Sequence, residues 1–200
     1  MALIHVTPDQ YIVSQWSGGT TTQVAIAPEG AVYADRDFLW RISSASVDLD
    51  ESDFTALPDY HRWISTLKGG MTLSHEGGEK IVLAPYEIHQ FDGGVDTHSW
   101  GRCTDFNLML RKGKCLGVVR SLKLAAGEKA EVSFESAPSQ QFPSADLLIF
   151  CGEGKATVTL GGEQVVLEGL HSALIKNAAG ARVSVECTED AAFMIAEVQI

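Results

Sequence analysis

The chain has 200 residues, 45% of them hydrophobic, and its 26 acidic residues outnumber its 15 basic ones to give a formal net charge of −11. That apolar content supplies a core for one large or two small domains and excludes a disordered chain. The acidic balance disfavours nucleic acid and anionic membranes as partners, because both repel negative charge. No apolar run approaches the ~18 residues of a membrane span, and the N-terminus lacks a signal-peptide pattern, so we expect a cytoplasmic protein.

Strand-like segments follow one another along most of the chain. Apolar residues alternate with polar ones or form short runs, and Gly, Pro or Asp interrupts them about every eight to twelve residues. The segments are, in chain order, residues 37–50, 62–70, 71–85, 104–113, 118–124, 130–135, 145–154, 155–169 and 181–186. No window sustains a helical stripe over three turns. The sequence therefore predicts an all-β chain with at most short helical turns near residues 52–57 and 136–142.

The sequence contains an internal repeat at a spacing of 84 residues. At that spacing residues 77–83 align without a gap on residues 161–167, and Gly70 aligns with Gly154. Strands joined by short Gly-rich hairpins and repeated once are typical of two small antiparallel barrels or jelly rolls packed together. The repeat therefore predicts two copies of one β-lobe.

The repeat also separates residues that fold a lobe from residues that bind a ligand, since only the former must recur. The spacing aligns Arg62 with Asp146, Asp105 with Glu189, Asn107 with Ala191 and Met109 with Phe193. The first copy keeps polar candidates for the lobe interior, whereas the second has largely exchanged them for apolar residues. We therefore predict that residues 1–112 form the lobe with the ligand site and that residues 113–200 form a mainly structural lobe.

Strand alternation groups polar side chains on single faces. Arg41 and Ser43 share one face of their strand. Asp105 and Asn107 share one face of a later strand. If these faces line the interior of the first lobe, they form a polar set that is costly to bury without partners. One hypothesis is a pocket in which a guanidinium clamps a small carboxylate. The alternative is an Arg41–Asp105 ion pair that only joins two strands, and the two hypotheses are compatible.

Metal ligands and nucleophiles are sparse in the sequence. The six histidines lack the His-x-His pair of the common metal-bearing β-barrels, so we predict no metal site and no cofactor, with a mixed site of His75, His89 and His98 left open. The four cysteines are isolated, which is typical of buried thiols. The Gly18-Gly19 pair precedes three threonines and lacks the P-loop lysine, so an ordinary turn is the alternative to an anion-binding loop.

Several segments within the first 110 residues carry a family resemblance. They are Trp16 with Gly18-Gly19 and residues 21–24, residues 37–43 (Asp-Phe-Leu-Trp-Arg-Ile-Ser), Phe54, Pro58, Tyr60, Arg62, Leu67, Gly69, and residues 105–109 (Asp-Phe-Asn-Leu-Met). In this order they resemble the HutD/Ves family. The resemblance implies a bicupin, with two double-stranded β-helices and no metal ligands. It also implies an association with histidine utilisation or stress response, and binding of a small acid such as formylglutamate.

The first motif departs from the pattern of that family, which usually reads Trp-Lys/Arg-Asn-Gly-Gly-Gly-x-Thr-x-Glu. This chain is about two residues shorter there, has Ser17 in place of the basic residue and lacks the Asn. It places Gln23 where the family has Glu. The departure bears on which ligand is bound.

We interpret the chain as a non-metal bicupin that binds a small polar or anionic metabolite in its first lobe, in a regulatory or auxiliary role. The predicted ligand-binding residues are Arg41 as anion clamp, Ser43 and Asn107 as orienting groups, Arg62 as second cation, Trp16 as lid or wall, and Asp105 as the group that holds Arg41. Two alternatives are a metal-independent enzyme acting on a small sugar or keto acid, and a protein-interaction module. A homodimer is compatible with the sequence.

Overall fold

Antiparallel strands make up nearly all regular structure in the computed structural model, which describes residues 1–134 and 139–200. The strands of these residues are, in chain order, β1 (Ala2–Val6), β2 (Ile12–Trp16), β3 (Gly19–Ala27), β4 (Trp40–Val47), β5 (Glu51–Asp53), β6 (Tyr60–Gly69), β7 (Met71–His75), β8 (Ile81–Leu83), β9 (Ile88–Asp92), β10 (Thr97–Trp100), β11 (Cys103–Arg111), β12 (Leu116–Leu124), β13 (Lys129–Ser133), β14 (Ala145–Glu153), β15 (Lys155–Leu160), β16 (Glu163–Glu168), β17 (Ser172–Lys176), β18 (Arg182–Cys187) and β19 (Ala191–Gln199). The helical elements of the described residues are two 3₁₀ turns, Pro8–Gln10 and Tyr33–Asp35. The prediction of an all-β chain is confirmed.

The short helical turns predicted from the sequence are not where we expected them. The segment 52–57 begins within β5, where Ser52 lies opposite Ser99 of β10, so pairing with another strand replaces local helical bonds. Its remaining residues are irregular. The turn predicted near 136–142 lies partly outside the described residues, and residues 139–142 are not helical.

Residues Tyr11–Cys115 form one compact unit, which we term the first unit. Its two sheets have the strand orders β2-β3-β4-β11-β6-β9 and β5-β10-β7-β8. Apolar side chains from both sheets form a shared core that includes Val47, Ile64, Met71, Leu73, Leu83, Phe91 and Cys103. Between β4 and β11, Arg41 lies opposite Met109 and Ser43 lies opposite Asn107. Because residues directly opposite one another project to the same face, the register places these polar side chains together.

Residues Met1–Gln10 and Leu116–Ile200 form the second unit. Its sheets have the orders β1-β17-β14-β19-β12 and β13-β18-β15-β16. Their shared core includes Leu147, Ile149, Val158, Val183, Phe193 and Ile195. The sequence-based boundary differs, since it assigns residues 1–10 to the first lobe. In the structure β1 pairs with β17 along its whole length and covers an edge of that sheet, a long-range pairing that local periodicity does not reveal.

The sequence predicted two antiparallel barrels or jelly rolls, and the four sheets of the described residues have open strand orders. Several edge strands are short, and β5 and β8 have three residues each. Short edge strands offer few backbone groups for further pairing. Each unit is therefore built as two facing sheets around one core rather than as one continuous hydrogen-bonded cylinder.

The two units repeat one strand plan, but the spacing of the repeat changes along the chain. Leu83 of β8 and Leu167 of β16 are core residues at the predicted spacing of 84. Upstream, Gly69 corresponds to Gly154, since each glycine has a positive φ and lies beside a register shift of its sheet. The spacing between these two glycines is one residue longer than the predicted 84. A Cβ at Gly69 would lie 2.6 Å from the carbonyl oxygen of Arg102, and one at Gly154 would lie 2.2 Å from that of Asp190. The pairing of Gly70 with Gly154 was wrong by one position.

The register shifts also correct the pairs drawn from the constant spacing. In the structure Arg62 corresponds to Leu147, Asp105 to Phe193, Asn107 to Ile195 and Met109 to Glu197. The reason is that small insertions in turns change the spacing, and a change of one residue reverses the face of every side chain in a strand. Apolar residues of the second unit thus replace the three polar ones among these residues of the first unit.

Candidate functional site

A cavity of about 260 Å³ lies in the first unit. Strands β2 to β6 and β11, together with the 3₁₀ turn Tyr33–Asp35, provide the side chains around it. All six predicted ligand-binding residues line it: Trp16, Arg41, Ser43, Arg62, Asp105 and Asn107. The structure therefore brings the predicted set together in one place, and ligand binding by these residues stays a prediction.

Arg41 is buried in the cavity wall and held by neutral groups. Its Nε donates to Oε1 of Gln23 at 2.8 Å, and its Nη1 donates to Oγ of Ser43 at 3.1 Å. The guanidinium carbon lies 4.2 Å from the centre of the Tyr33 ring, within the range of a cation–π contact. Burial lowers the pKa of Arg41, opposed mainly by Tyr33 and Asp105. These neutral groups thus fix the side chain in place, and no carboxylate among the described residues neutralises its charge in an ion pair.

Arg62 is the second buried cation and is only 6% exposed. Its guanidinium carbon lies 4.9 Å from the ring centre of Phe54 and 5.2 Å from that of Phe91. Its Nη1 donates a long bond of 3.5 Å to the carbonyl of Thr55, and its Nε is buried without a partner. Burial lowers the pKa of Arg62 to about 10, so it stays charged at neutral pH. This arginine retains donor capacity that a ligand can use.

Asp105 is the buried carboxyl group of the cavity. Its Oδ1 accepts a hydrogen bond of 2.7 Å from the backbone N–H of Ala45. Burial raises its pKa to about 7, while the Ala45 bond, Arg62 and Arg41 act in the opposite direction. Among the described residues no ion pair within 4.0 Å joins Arg41 or Arg62 to a carboxylate, so the predicted Arg41–Asp105 pair does not form. The register explains this, since Arg41 lies opposite Met109 rather than opposite Asp105.

Ser43 of β4 lies opposite Asn107 of β11, the strand between those that carry Arg41 and Arg62. Ser43 uses its hydroxyl oxygen to accept the bond from Arg41. The Oδ1 of Asn107 is buried without a hydrogen-bond partner. An unsatisfied buried acceptor costs about 1–3 kcal/mol, and a ligand N–H would remove that cost. The cavity thus presents both donors and one acceptor.

Trp16 lies at the cavity with 39% of its surface exposed. It pairs with Gly19 where β2 turns into β3, and a Cβ on Gly18 would lie 2.2 Å from the Trp16 ring. Neither glycine is among the described residues that line the cavity. The glycine pair lies at the hairpin turn between β2 and β3 and lets the indole lie close to the backbone.

Sequence reasoning missed the aromatic and neutral partners of the two arginines. Tyr33 contacts both Arg36, at 3.8 Å from ring centre to guanidinium carbon, and Arg41. Phe54 lies over Arg62. Tyr33 lies in an irregular segment without strand alternation, so no periodic signal marked it. Phe54 carried a signal, because it belongs to the motifs of the family resemblance.

The histidines left open as a mixed metal site are not grouped as three. Nε2 of His75 lies 2.8 Å from Nε2 of His89. Nδ1 of His98 instead lies 2.6 Å from Oδ1 of Asp53. Thr97 is the residue of β10 that lies opposite His75, and its neighbour His98 projects to the other face of the sheet. No group of three His, Cys, Asp or Glu residues suited to a metal ion occurs within the described part of the chain. The four cysteines are free and buried.

Comparison with known proteins shows the family of the chain. The HutD family model matches residues 9–194. The chain belongs to the HutD family. A conserved protein, PA5104, from Pseudomonas aeruginosa is 22% identical over the full length of both chains, with a TM-score of 0.83. The HutD structure from Pseudomonas fluorescens is 21% identical over both full chains, with a TM-score of 0.72.

The fold likeness extends to cupins. A cupin 2 conserved barrel domain protein from Leptotrichia buccalis has a TM-score of 0.56 at 13% identity, over 98% of this chain and 96% of that one. The HutD-family chain thus has a cupin-like fold. No curated protein matches the sequence significantly. Among the described residues of the HutD-family chain, no helix has the length and apolar character to span a membrane.

Proposed function

We propose that this HutD-family protein is a bicupin that binds a small carboxylate metabolite in the cavity of its first unit, with no metal ion among the groups that hold the metabolite. The role is regulatory or auxiliary, in histidine utilisation or stress response, and the ligand is a formylglutamate-like acid. The observation that carries the proposal is the pair Arg41 and Arg62, two buried guanidinium groups within one cavity that have no carboxylate partner within 4.0 Å among the described residues.

Charge supports an anionic ligand. A buried, unpaired charge is unfavourable, and an arriving anion offsets that cost while forming charge-assisted hydrogen bonds. Asp105 opposes the two arginines only in part, because burial raises its pKa to about 7 and leaves it partly protonated near neutral pH. Asp53, the other acidic residue of the lining, is exposed and contacts His98, so the excess of positive charge is confined to the buried part of the cavity. It contrasts with the net charge of −11 of the whole chain.

Hydrogen-bonding capacity supports an acid that also carries an N–H group. The unpaired Nε of Arg62 can donate to a carboxylate, and the unpaired Oδ1 of Asn107 can accept from an amide. A cavity of about 260 Å³ is of the size that holds a small metabolite rather than a polymer. An N-acyl amino acid with a carboxylate side chain has the required groups.

The test is calorimetric titration of the protein with N-formyl-L-glutamate, glutarate and the dimethyl ester of N-formyl-L-glutamate. We expect N-formyl-L-glutamate to bind best and glutarate to bind more weakly, because glutarate lacks the N–H group. The uncharged diester should not bind. Amide NMR shifts on binding should concentrate in residues Tyr11–Cys115. Equal binding of acid and diester, or shifts confined to the second unit, would overturn the proposal. Hydrolysis of the formyl group during the titration would favour the enzyme alternative.

A further inference from the structure

Two histidines of the first unit lie in direct contact outside the set of residues that line the cavity. His75 ends β7 and His89 lies in β9, and their Nε2 atoms are 2.8 Å apart. The two rings are stacked, with centroids 5.1 Å apart and planes inclined by 21°. Phe91 packs against both rings, with centroid distances of 4.9 Å and 5.8 Å. The two histidines belong to different sheets, so this side-chain packing sets the relative position of their imidazoles.

The hydroxyl of Thr97 determines which nitrogen of His75 carries the proton. Thr97 donates its hydroxyl proton to the carbonyl of Val95 at 3.1 Å. Its Oγ1 must therefore accept at the other contact, where Nδ1 of His75 lies 2.9 Å away. His75 thus has its proton on Nδ1 and a lone pair on Nε2. Nε2 of His89 then donates to that lone pair.

This arrangement matches the outer shell of protein metal sites, in which a hydrogen bond to the second ring nitrogen fixes the tautomer and orientation of a ligating histidine. Burial lowers the pKa of both histidines, so both rings are neutral at neutral pH, the state that ligates metal. Both side chains are half-buried, which leaves access for an ion and for water. Glu76 adds favourable negative charge close to His75.

We propose that His75 and His89 bind one borderline divalent transition-metal ion, Zn²⁺, Ni²⁺ or Cu²⁺, through their Nε2 atoms, with water in the remaining coordination positions. Two nitrogens at ~2.0–2.1 Å from a tetrahedral ion are about 3.3 Å apart, so the rings need to separate by about half an ångström. His89 moves its proton from Nε2 to Nδ1 through solvent, and no net proton is released. The proposal departs from the sequence-based prediction of no metal site.

The metal test uses calorimetric titration with NiCl₂, ZnCl₂ and CuCl₂. His5 and His171 form another imidazole contact, with 3.1 Å between Nε2 of His5 and Nδ1 of His171. The parent protein of this test and all its variants therefore carry His171→Gln, which removes that contact. We expect one equivalent to bind, with Cu²⁺ tightest in keeping with the Irving–Williams order. His89→Gln and His75→Gln should each abolish that equivalent. Thr97→Val should lower the metal affinity by about 10- to 100-fold, as the loss of outer-shell partners does, and Thr97→Ser should retain the affinity.

His61→Gln is the matched control, because His61 is exposed on the neighbouring β6 and should leave the titration unchanged. Bound Cu²⁺ should show nitrogen hyperfine splitting from two imidazoles in its electron paramagnetic resonance spectrum. Retention of the same binding by His89→Gln with native circular dichroism would overturn the proposal, as would an absence of binding in the parent. Binding of N-formyl-L-glutamate is measured separately, so the two proposals fail independently.

Discussion

Corresponding corners of the two units hold an arginine side chain in opposite ways. In the first unit Arg41 lies opposite Met109 and is held by Gln23 and Ser43, with no carboxylate within 4.0 Å among the described residues. In the second unit the position of Met109 is taken by Glu197, which is 2% exposed and accepts from Arg120 at 2.7 Å.

Arg120 also donates, through Nη2, to the carbonyl of Ser133 at 2.8 Å. The arginine of the second unit is therefore neutralised within the fold, whereas those of the first unit keep charge and donor capacity for something else. The difference indicates that this fold can provide a buried carboxylate for an arginine at this corner, and that the first unit does not. We propose that the arginines of the first unit, which have no such carboxylate, serve ligand binding.

The largest effect should come from breaking the ion pair of the second unit. Replacing Arg120→Met removes the partner of a carboxylate that is almost fully buried, which typically costs about 3–5 kcal/mol. Arg41→Met removes no ion pair and should cost less. Unfolding in urea, followed by circular dichroism, measures both. The double variant Arg120→Met with Glu197→Gln should regain part of the loss, and equal losses for Arg120→Met and Arg41→Met would contradict the comparison.

The buried carboxyl of the first unit should make stability depend on pH. The folded-state pKa of Asp105 is raised to about 7 from 3.8, so its contribution is fully present below about pH 4 and is lost as pH rises through about 7. At about 1.4 kcal/mol per pKa unit, the loss is about 4 kcal/mol at most.

Asp105→Asn keeps an acceptor for Ala45 and removes the titration. The variant should therefore be more stable than the parent at pH 8 and lose that advantage at pH 4, as measured by urea unfolding at each pH. The control is Asp59→Asn, which changes an exposed carboxyl in the turn before β6 and should show no such trend. A parallel pH dependence of parent and Asp105→Asn would show that Asp105 does not titrate in this range.

Removing the anion clamp should weaken ligand binding more than it weakens folding. A charge-assisted hydrogen bond contributes on the order of 1.5–3 kcal/mol, so Arg41→Ala should weaken a carboxylate ligand by roughly 10- to 150-fold. Arg41→Lys should recover only part, because an ammonium lacks the bidentate fork. Calorimetric titration with N-formyl-L-glutamate gives the affinities. If Arg41→Met with Asp105→Asn binds as well as the parent, Arg41 only joins strands.

The smallest effect should follow from restoring the family's acidic residue in the first motif. Gln23→Glu places a carboxylate where the amide oxygen now accepts from Nε of Arg41 at 2.8 Å. The new carboxylate should neutralise Arg41 much as Glu197 neutralises Arg120. It should lower the affinity for N-formyl-L-glutamate by about tenfold, equivalent to ~1.4 kcal/mol. The isosteric control is Gln15→Glu on the exposed strand β2, which should leave affinity unchanged. Tighter binding by Gln23→Glu would contradict this electrostatic account.

The sequence alone predicted the all-β class and the polar face that lines the cavity. Both depend on local alternation, which sets the face of Arg41 and Ser43 whatever the rest of the chain does. The family motifs predicted membership, which the family match confirmed. The constant repeat spacing was a weaker guide, because the β7–β8 hairpin of the first unit is one residue longer than the β15–β16 hairpin of the second, which shifted the pairs that the spacing implied.

Only the tertiary structure decided which charges are paired. Gln23, Arg41 and Tyr33 come from three separate elements, and their contacts depend on strand register and on the course of an irregular segment. The same holds for His75 and His89, which no sequence spacing marked as neighbours, and for β1, which joins the second unit by pairing with β17. Side-chain alternation is a local property of the backbone, whereas partners across a sheet are chosen by long-range packing.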